Sequence, residues 1–330
     1  MSLDRSILEY PVPLATQAKI ANQFWAAENV QVEYLRLYFQ YYAEQCRIVF
    51  QSHKMRLPLK QHQDLVDITT HILDNASRSD IKRRLTAKYE AADGTLYDAL
   101  DASIDLAVRL VFMLDVGEFP NAFSGRRKLV WLNGSTQEFM QQTFPVQRKL
   151  SHGGLKLGRD FNVSSMVRIA GFNIELTTNL ADHLRLRDAD KTVMVFHHAS
   201  FLRIHQQSSF FPTRFIDETL ATLALLFPQG DRACKKWYNK QDQFDDLDHS
   251  VLNCGSAQRR MDTYRYWHDR LVILKEEFDE SRPSTLSQWW NDRREGTQWY
   301  TLWVAIVLTL LFGLIQSIVG AMQLYKAYYP

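Results

Sequence analysis

Cysteine is scarce and odd in number: Cys46, Cys234 and Cys254 lie far apart in a chain of 330 residues. Three widely spaced thiols exclude a disulfide framework and fit a chain kept in a reducing compartment. Net charge is scarce too. Lys and Arg total 39 against 37 Asp and Glu, a balance of +2, so no basic domain makes a case for nucleic acid as a partner. The 13 glycines and 9 prolines gather into no long linker, and no internal repeat stands out. Residues 1–282 are therefore expected to form one domain. The opening MSLDRSILEYPVPL is interrupted by Asp4, Arg5 and Glu9, so it lacks the continuous apolar core of a secretory signal.

Motifs of catalysis and cofactor binding are missing as well. There is no P-loop, dinucleotide glycine fingerprint, nucleophile elbow or zinc-protease helix. The His-Gly-Gly of SHGGLKLG reads as a glycine-rich turn, because no Gly-x-Ser-x-Gly accompanies it. His62, Asp64, Asp67 and His71 do not have metal-ligand spacing and are expected at the surface. His197 and His198 end a predicted strand, which places them on opposite faces. Asp242, Asp245, Asp246 and Asp248 lack the spacing and glycine of an EF-hand and read as a solvated acidic loop. Nothing local brings Cys234, His249 and Cys254 together. The sequence accordingly predicts no enzyme, no cofactor and no metal site.

What stands out is a run without any charge, Gly296 to Tyr325. It exceeds the roughly 20 apolar residues that cross a hydrocarbon core. Trp289, Trp290, Trp299 and Trp303 precede or open it and Tyr325 and Tyr328 close it, as suits the two polar interfaces of a bilayer. The sequence predicts a transmembrane helix over 299–325, an interfacial helix over 283–298 and a short far-side tail, 326–330. Arg282, Arg293 and Arg294 precede the span and only Lys326 follows it, so residues 1–282 are expected in the cytosol. A span this near the end implies tail anchoring, with the receiving organelle left open.

Two polar amides sit inside that run. Leu302, Ile306, Thr309, Gly313, Gln316, Gly320 and Gln323 advance by alternate steps of four and three, a heptad seam. A second ladder, Ala305, Thr309, Gly313, Ser317 and Ala321, repeats small residues every fourth position. Small residues admit close helix approach, and a glutamine in lipid needs a hydrogen-bonding partner. The expected association seam is therefore Thr309, Gly313, Gln316, Ser317, Gly320 and Gln323. Its partner is a second copy or another membrane protein, besides the lipid bilayer itself. A homo-oligomeric channel lined by the glutamines is the alternative from another class. A membrane-tethered enzyme is the third.

The remainder predicts a mainly α fold. Ala15 to Phe50 has one long, aromatic helical pattern, and TLYDALDASIDLAVRLVFML a second helix, capped by Thr95. The basic cluster Lys82, Arg83, Arg84 and Lys88 reads as a solvated helix face. RKLVWL predicts a strand and STQEFMQQTF a helix capped by Ser135 with Glu138. A helix from Val163 stopped by Gly171, an extended stretch, a helix over LADHL and a strand over KTVMVFH make a winged-helix-like α/β centre, about 126–205. Protein docking is its expected use. An amphipathic helix between Pro212 and Pro228 and a long helix over RRMDTYRYWHDRLVILKEEFDES complete the prediction. Tyr264, Trp267, Leu271, Leu274 and Phe278 of the latter are in heptad spacing.

NLADHLRL, VFHHASFL, FIDETLATLALLFP, YWHDRLVILKEEFDE and the closing STLSQWWNDRREGTQWYTLWVAIVLTLLFGLIQSIVGAMQLYKAY resemble a large family of membrane-anchored proteins of filamentous ascomycete fungi. The resemblance runs from about Phe161 to the end. It implies a fungal source and a single-span topology, and it carries over no catalytic residue. The layout is only loosely similar to CorA-type magnesium transporters, whose Gly-Met-Asn signature and second span are missing.

Overall fold

Aromatic side chains near the N-terminus decide how the first half is built. The computed structural model describes residues 3–26, 32–53, 57–89, 94–118, 128–146, 150, 156–187, 190–242, 246–281 and 296–329. Helix α1 (Leu14–Trp25) ends where Ala26 takes a left-handed conformation, φ 51°. A 3-10 turn (Val32–Leu35) then leads into α2 (Arg36–Ser52). The single helical pattern expected over 15–50 is thus two helices, and the break falls where a left-handed residue stops the first.

Helices α3 (His62–Leu73), α4 (Arg78–Lys88) and α2 pack against α5 (Gly94–Phe112). From Leu100 to Phe112 almost every face of α5 is buried, as an apolar run with no solvated stripe requires. Helix α5 begins at Gly94, so Thr95, expected as its cap, lies within the first turn. The last carbonyls of a helix have no partner within it. Here Trp25 Nε1 donates to Val111 O (3.2 Å), Tyr38 Oη to Leu110 O (2.8 Å) and Tyr41 Oη to Arg109 O (3.2 Å). These rings fill the core and cap α5 at once.

Arg78 on α4 bonds Asp101 (2.9 Å) and Asp105 (2.5 Å) of α5 and lies over the Trp131 ring. Lys82, Arg83 and Lys88 pair with Asp101, Asp80 and Asp67. Helix α6 (Thr136–Thr143) carries the capping box its sequence predicts: Ser135 Oγ accepts Glu138 N–H, and Glu138 Oε2 accepts Ser135 N–H. The strand expected at RKLVWL is a single bridge, Val116 to Leu129. The pairing stops because the partner segment turns at Gly117, φ 85°.

The second half is mixed. Asn162 caps α7 (Val163–Arg168), and Gly171 (φ 73°) turns the chain into β1 (Asn173–Thr177). Strands β2 (Arg185–Arg187) and β3 (Thr192–Phe196) complete a sheet in the order β1-β3-β2, with β1 parallel and β2 antiparallel to β3. The helix expected over LADHL is one 3-10 turn (Leu180–Asp182), because Leu184 turns left-handed at φ 58° to enter β2.

Helices α8 (Ala199–Ile204), α9 (Phe215–Leu226), α10 (Arg232–Gln241) and α11 (His268–Glu280) follow. Helix α9, expected to be amphipathic, is buried on nearly all faces, polar Glu218, Thr219 and Thr222 included. Helix α11 is shorter than expected. Glu218 Oε1 accepts the backbone N–H of Arg265, Tyr266 and Trp267, which holds these residues in an irregular turn before the helix starts. All five heptad residues of this segment are buried, so it serves the core. Last comes α12 (Gly296–Tyr328). The expected interfacial segment, including Trp289 and Trp290, lies outside the described residues up to 295, and 296–298 belong to α12.

Candidate functional site

Helix α12 contains no proline and no charge before Lys326, although many of its residues are β-branched, aromatic or glycine, which favour helix less than alanine or leucine. Its 33 residues make a rod of about 50 Å, against a hydrocarbon core of about 30 Å. The stretch Trp299–Tyr328 contains a window of mean hydropathy 2.4, none of it buried against the protein. Trp299 and Trp303 pack ring to ring near one end (6.2 Å), as do Tyr325 and Tyr329 near the other (5.3 Å). From Trp303 to Tyr325 the axis rises about 33 Å, close to one bilayer interior.

The expected seam lies along this exposed rod. Thr309 Oγ1 donates to Ala305 O (2.8 Å) and Ser317 Oγ to Gly313 O (2.9 Å), so both hydroxyls are satisfied within the helix. Gln316 and Gln323 are exposed on the same stripe, and each primary amide offers two donors and an acceptor. A Cβ at Gly313 or Gly320 would meet nothing within 4 Å. Glycine inside a helix costs about 0.5–1 kcal/mol relative to alanine, yet packing within this chain asks for neither glycine.

The polar residues singled out elsewhere are mostly absorbed by the fold. His62 is a correction: it is buried, and its Nδ1 meets Tyr42 Oη at 2.9 Å. Burial lowers its pKa to about 4. Asp64 accepts the N–H of Lys60 and Gln61 at the start of α3, while Asp67 pairs with Lys88. His71 meets Arg84. His197 and His198 are a second correction. Strand β3 stops at Phe196, so strand alternation no longer governs them, and their rings lie 4.3 Å apart, both buried. Burial pushes both imidazoles toward the neutral form, His198 to about 3.

Two carboxylates of the acidic loop, Asp242 and Asp248, are structural, while Asp246 is exposed as expected. Asp248 accepts Ser200 N–H (2.6 Å), Ser200 Oγ–H (3.0 Å) and Ser250 N–H (2.9 Å). Asp242 meets His249 Nε2 at 2.8 Å and accepts Asp246 N–H. Burial raises the Cys234 and Cys254 thiols to about 12, which leaves them unreactive near neutral pH. No group of three His, Cys, Asp or Glu is placed to hold a metal among the described residues. Asp245 and residues 151–155 of the glycine-rich turn lie outside them.

Two half-open grooves mark the globular surface. One, of about 390 Å³, is lined by Met140, Phe144, Phe210, Phe211, Pro212 and Tyr266. The other, of about 490 Å³, lies beside Ile7, Tyr10, Arg47 and Phe50. Neither brings together an acid, a base and a nucleophile. Sequence reasoning missed Glu218, whose signal was a carboxylate inside an apolar helix, and the burial of His183.

The fold and α12 together define a mainly helical protein with a small three-stranded sheet and one C-terminal helix long and apolar enough to span a membrane. No family model, curated protein or solved structure matches the chain.

Proposed function

We propose that this is a tail-anchored membrane protein: α12 crosses the bilayer, and the globular part lies in the cytosol and docks a protein partner. The observation that carries this reading is α12 itself, 30 residues of membrane-spanning character with none of the apolar window buried. An unburied rod of this composition is stable in lipid and a liability in water. Arg282, Arg293 and Arg294 on its N-terminal side, against Lys326 beyond it, support the cytosolic placement. The groove beside Ile7, Tyr10 and Phe50 is the concave, mostly apolar surface that the docking role relies on.

In the bilayer the Thr309, Gly313, Gln316, Gly320 and Gln323 stripe pairs with the same stripe of a second copy. A primary amide is self-complementary, and a parallel neighbour presents it at the same depth. Each interhelical bond is worth about 0.6–1.7 kcal/mol. Replacing Gln316 and Gln323 by leucine and Gly313 and Gly320 by isoleucine should thus weaken association roughly ten- to a few-hundred-fold, read by energy transfer between labelled copies in lipid vesicles. Unchanged association would remove self-pairing from the account and turn the search to a different membrane protein.

A further inference from the structure

The length of α12 makes a demand on the membrane that holds it. Between its innermost aromatic anchors, Trp303 and Tyr325, residues 304–324 carry no charge and no proline. Every residue of that stretch is exposed, so the globular part shelters none of it, and lipid or a partner helix must cover each turn. Thr309 and Ser317 bond to carbonyls of their own helix, and Gln316 and Gln323 belong to the seam. No polar group inside the stretch therefore marks an earlier boundary. At 1.5 Å per residue the two aromatic ends stand about 33 Å apart. Any other choice of anchors, Trp299 or Tyr328, lengthens the stretch.

Lean shortens a span. Single helices tilt by about 20° on average, which leaves about 31 Å of the 33 Å. Helices meeting at a seam of heptad spacing cross at about 20°, so each leans about 10° and spans about 32 Å. Hydrocarbon cores differ among membranes: about 27 Å in the endoplasmic reticulum and about 32–33 Å in a surface membrane rich in sterol and sphingolipid. To fit the thinner core α12 would have to lean about 35°, near the upper end of the range for such helices and far past what its seam sets. A kink offers no relief, because α12 is one unbroken helix without proline.

We propose that α12 is matched to a thick, sterol-rich bilayer and sorts the protein to such a membrane in preference to a thin one. The inference rests on the membrane reading and goes beyond it by naming the class of bilayer. Each Å of mismatch adds a small cost, and the difference of about 5–6 Å between the two cores amounts to roughly tenfold in partition. The match is geometric and needs no receptor. Length decides it, and the identity of the apolar residues does not.

The test is the distribution of the full chain between surface membrane and endoplasmic reticulum in a eukaryotic host cell, separated by density and normalised to lipid. Deleting residues 304–307 removes about 6 Å and leaves Thr309 to Gln323 intact. A second variant keeps the length and changes the sequence: Val304→Leu, Ala305→Leu, Ile306→Leu and Val307→Leu together. The full chain and the leucine variant should be enriched roughly tenfold in the surface membrane, and the deletion should lose that enrichment. The proposal is overturned if the full chain stays in the endoplasmic reticulum, if the deletion remains enriched at the surface, or if the leucine variant loses enrichment as the deletion does. Recovery of the full chain in neither membrane would remove the membrane reading itself, and this inference with it. Should the deletion fail to insert, the full chain and the leucine variant decide.

Discussion

Glu218 is the residue on which the second half turns. One of its oxygens accepts three successive backbone N–H groups at 2.7–2.8 Å. Each buried donor left without a partner costs about 1–3 kcal/mol. Glu218→Ala should thus destabilise the globular part by about 3 kcal/mol or more, and Glu218→Gln, which keeps the oxygen but loses the charge, by about 1–2 kcal/mol. Denaturant unfolding followed by tryptophan fluorescence measures both, and equal losses would deny the charge its part. Tyr38→Phe is a cleaner deletion, because the ring stays and only the bond to Leu110 O goes, about 1 kcal/mol. The sequence showed Ser135 and Glu138 as a pair because a capping box is local. It could not show Glu218 with Trp267, 49 residues apart, nor the aromatic caps of α5, which join partners 68 to 86 residues apart.

Among the elements, α12 was legible from composition alone, since length, missing charge and aromatic ends are properties of one segment. So were α6, α7 and β3. The failures share a cause. The pattern over 15–50 carried apolar residues on most faces and hid its break at Ala26. The segment before α11 kept heptad spacing while Glu218 drew its backbone out of the helix. The short LADHL turn had no length to favour one state. A further expectation belongs to this scale. Ile315, off the glutamine stripe, faces lipid in this account, so Ile315→Arg should reduce membrane insertion, a penalty of about 2.5–3.5 kcal/mol near the span centre. Gln316→Leu should insert at least as well as the parent while associating less. Comparable insertion yields for Ile315→Arg and the parent would contradict the assigned depth.

For the whole molecule, buried histidines set the acid limit. Burial lowers His62 to about 4 and His183, His198 and His205 to about 3, and it lowers His197 as well. In the unfolded chain each would protonate near 6.5, so their stabilising effect is complete above that pH and declines as pH falls through the interval down to 3–4. Each contributes a loss of about 1.4 kcal/mol per pH unit, and a domain holds only about 5–15 kcal/mol. Cooperative unfolding of the globular part is therefore expected between about pH 6 and pH 4, seen as loss of near-ultraviolet dichroism. A fold stable to pH 3 would contradict the neutral, buried state of these rings. The central claim, that α12 carries the protein into a bilayer, is tested most directly by alkaline carbonate extraction of membranes holding either the full chain or a chain ending at Arg282. The account predicts that the full chain stays in the membrane pellet and the shortened chain is released. Release of the full chain into the supernatant would contradict it.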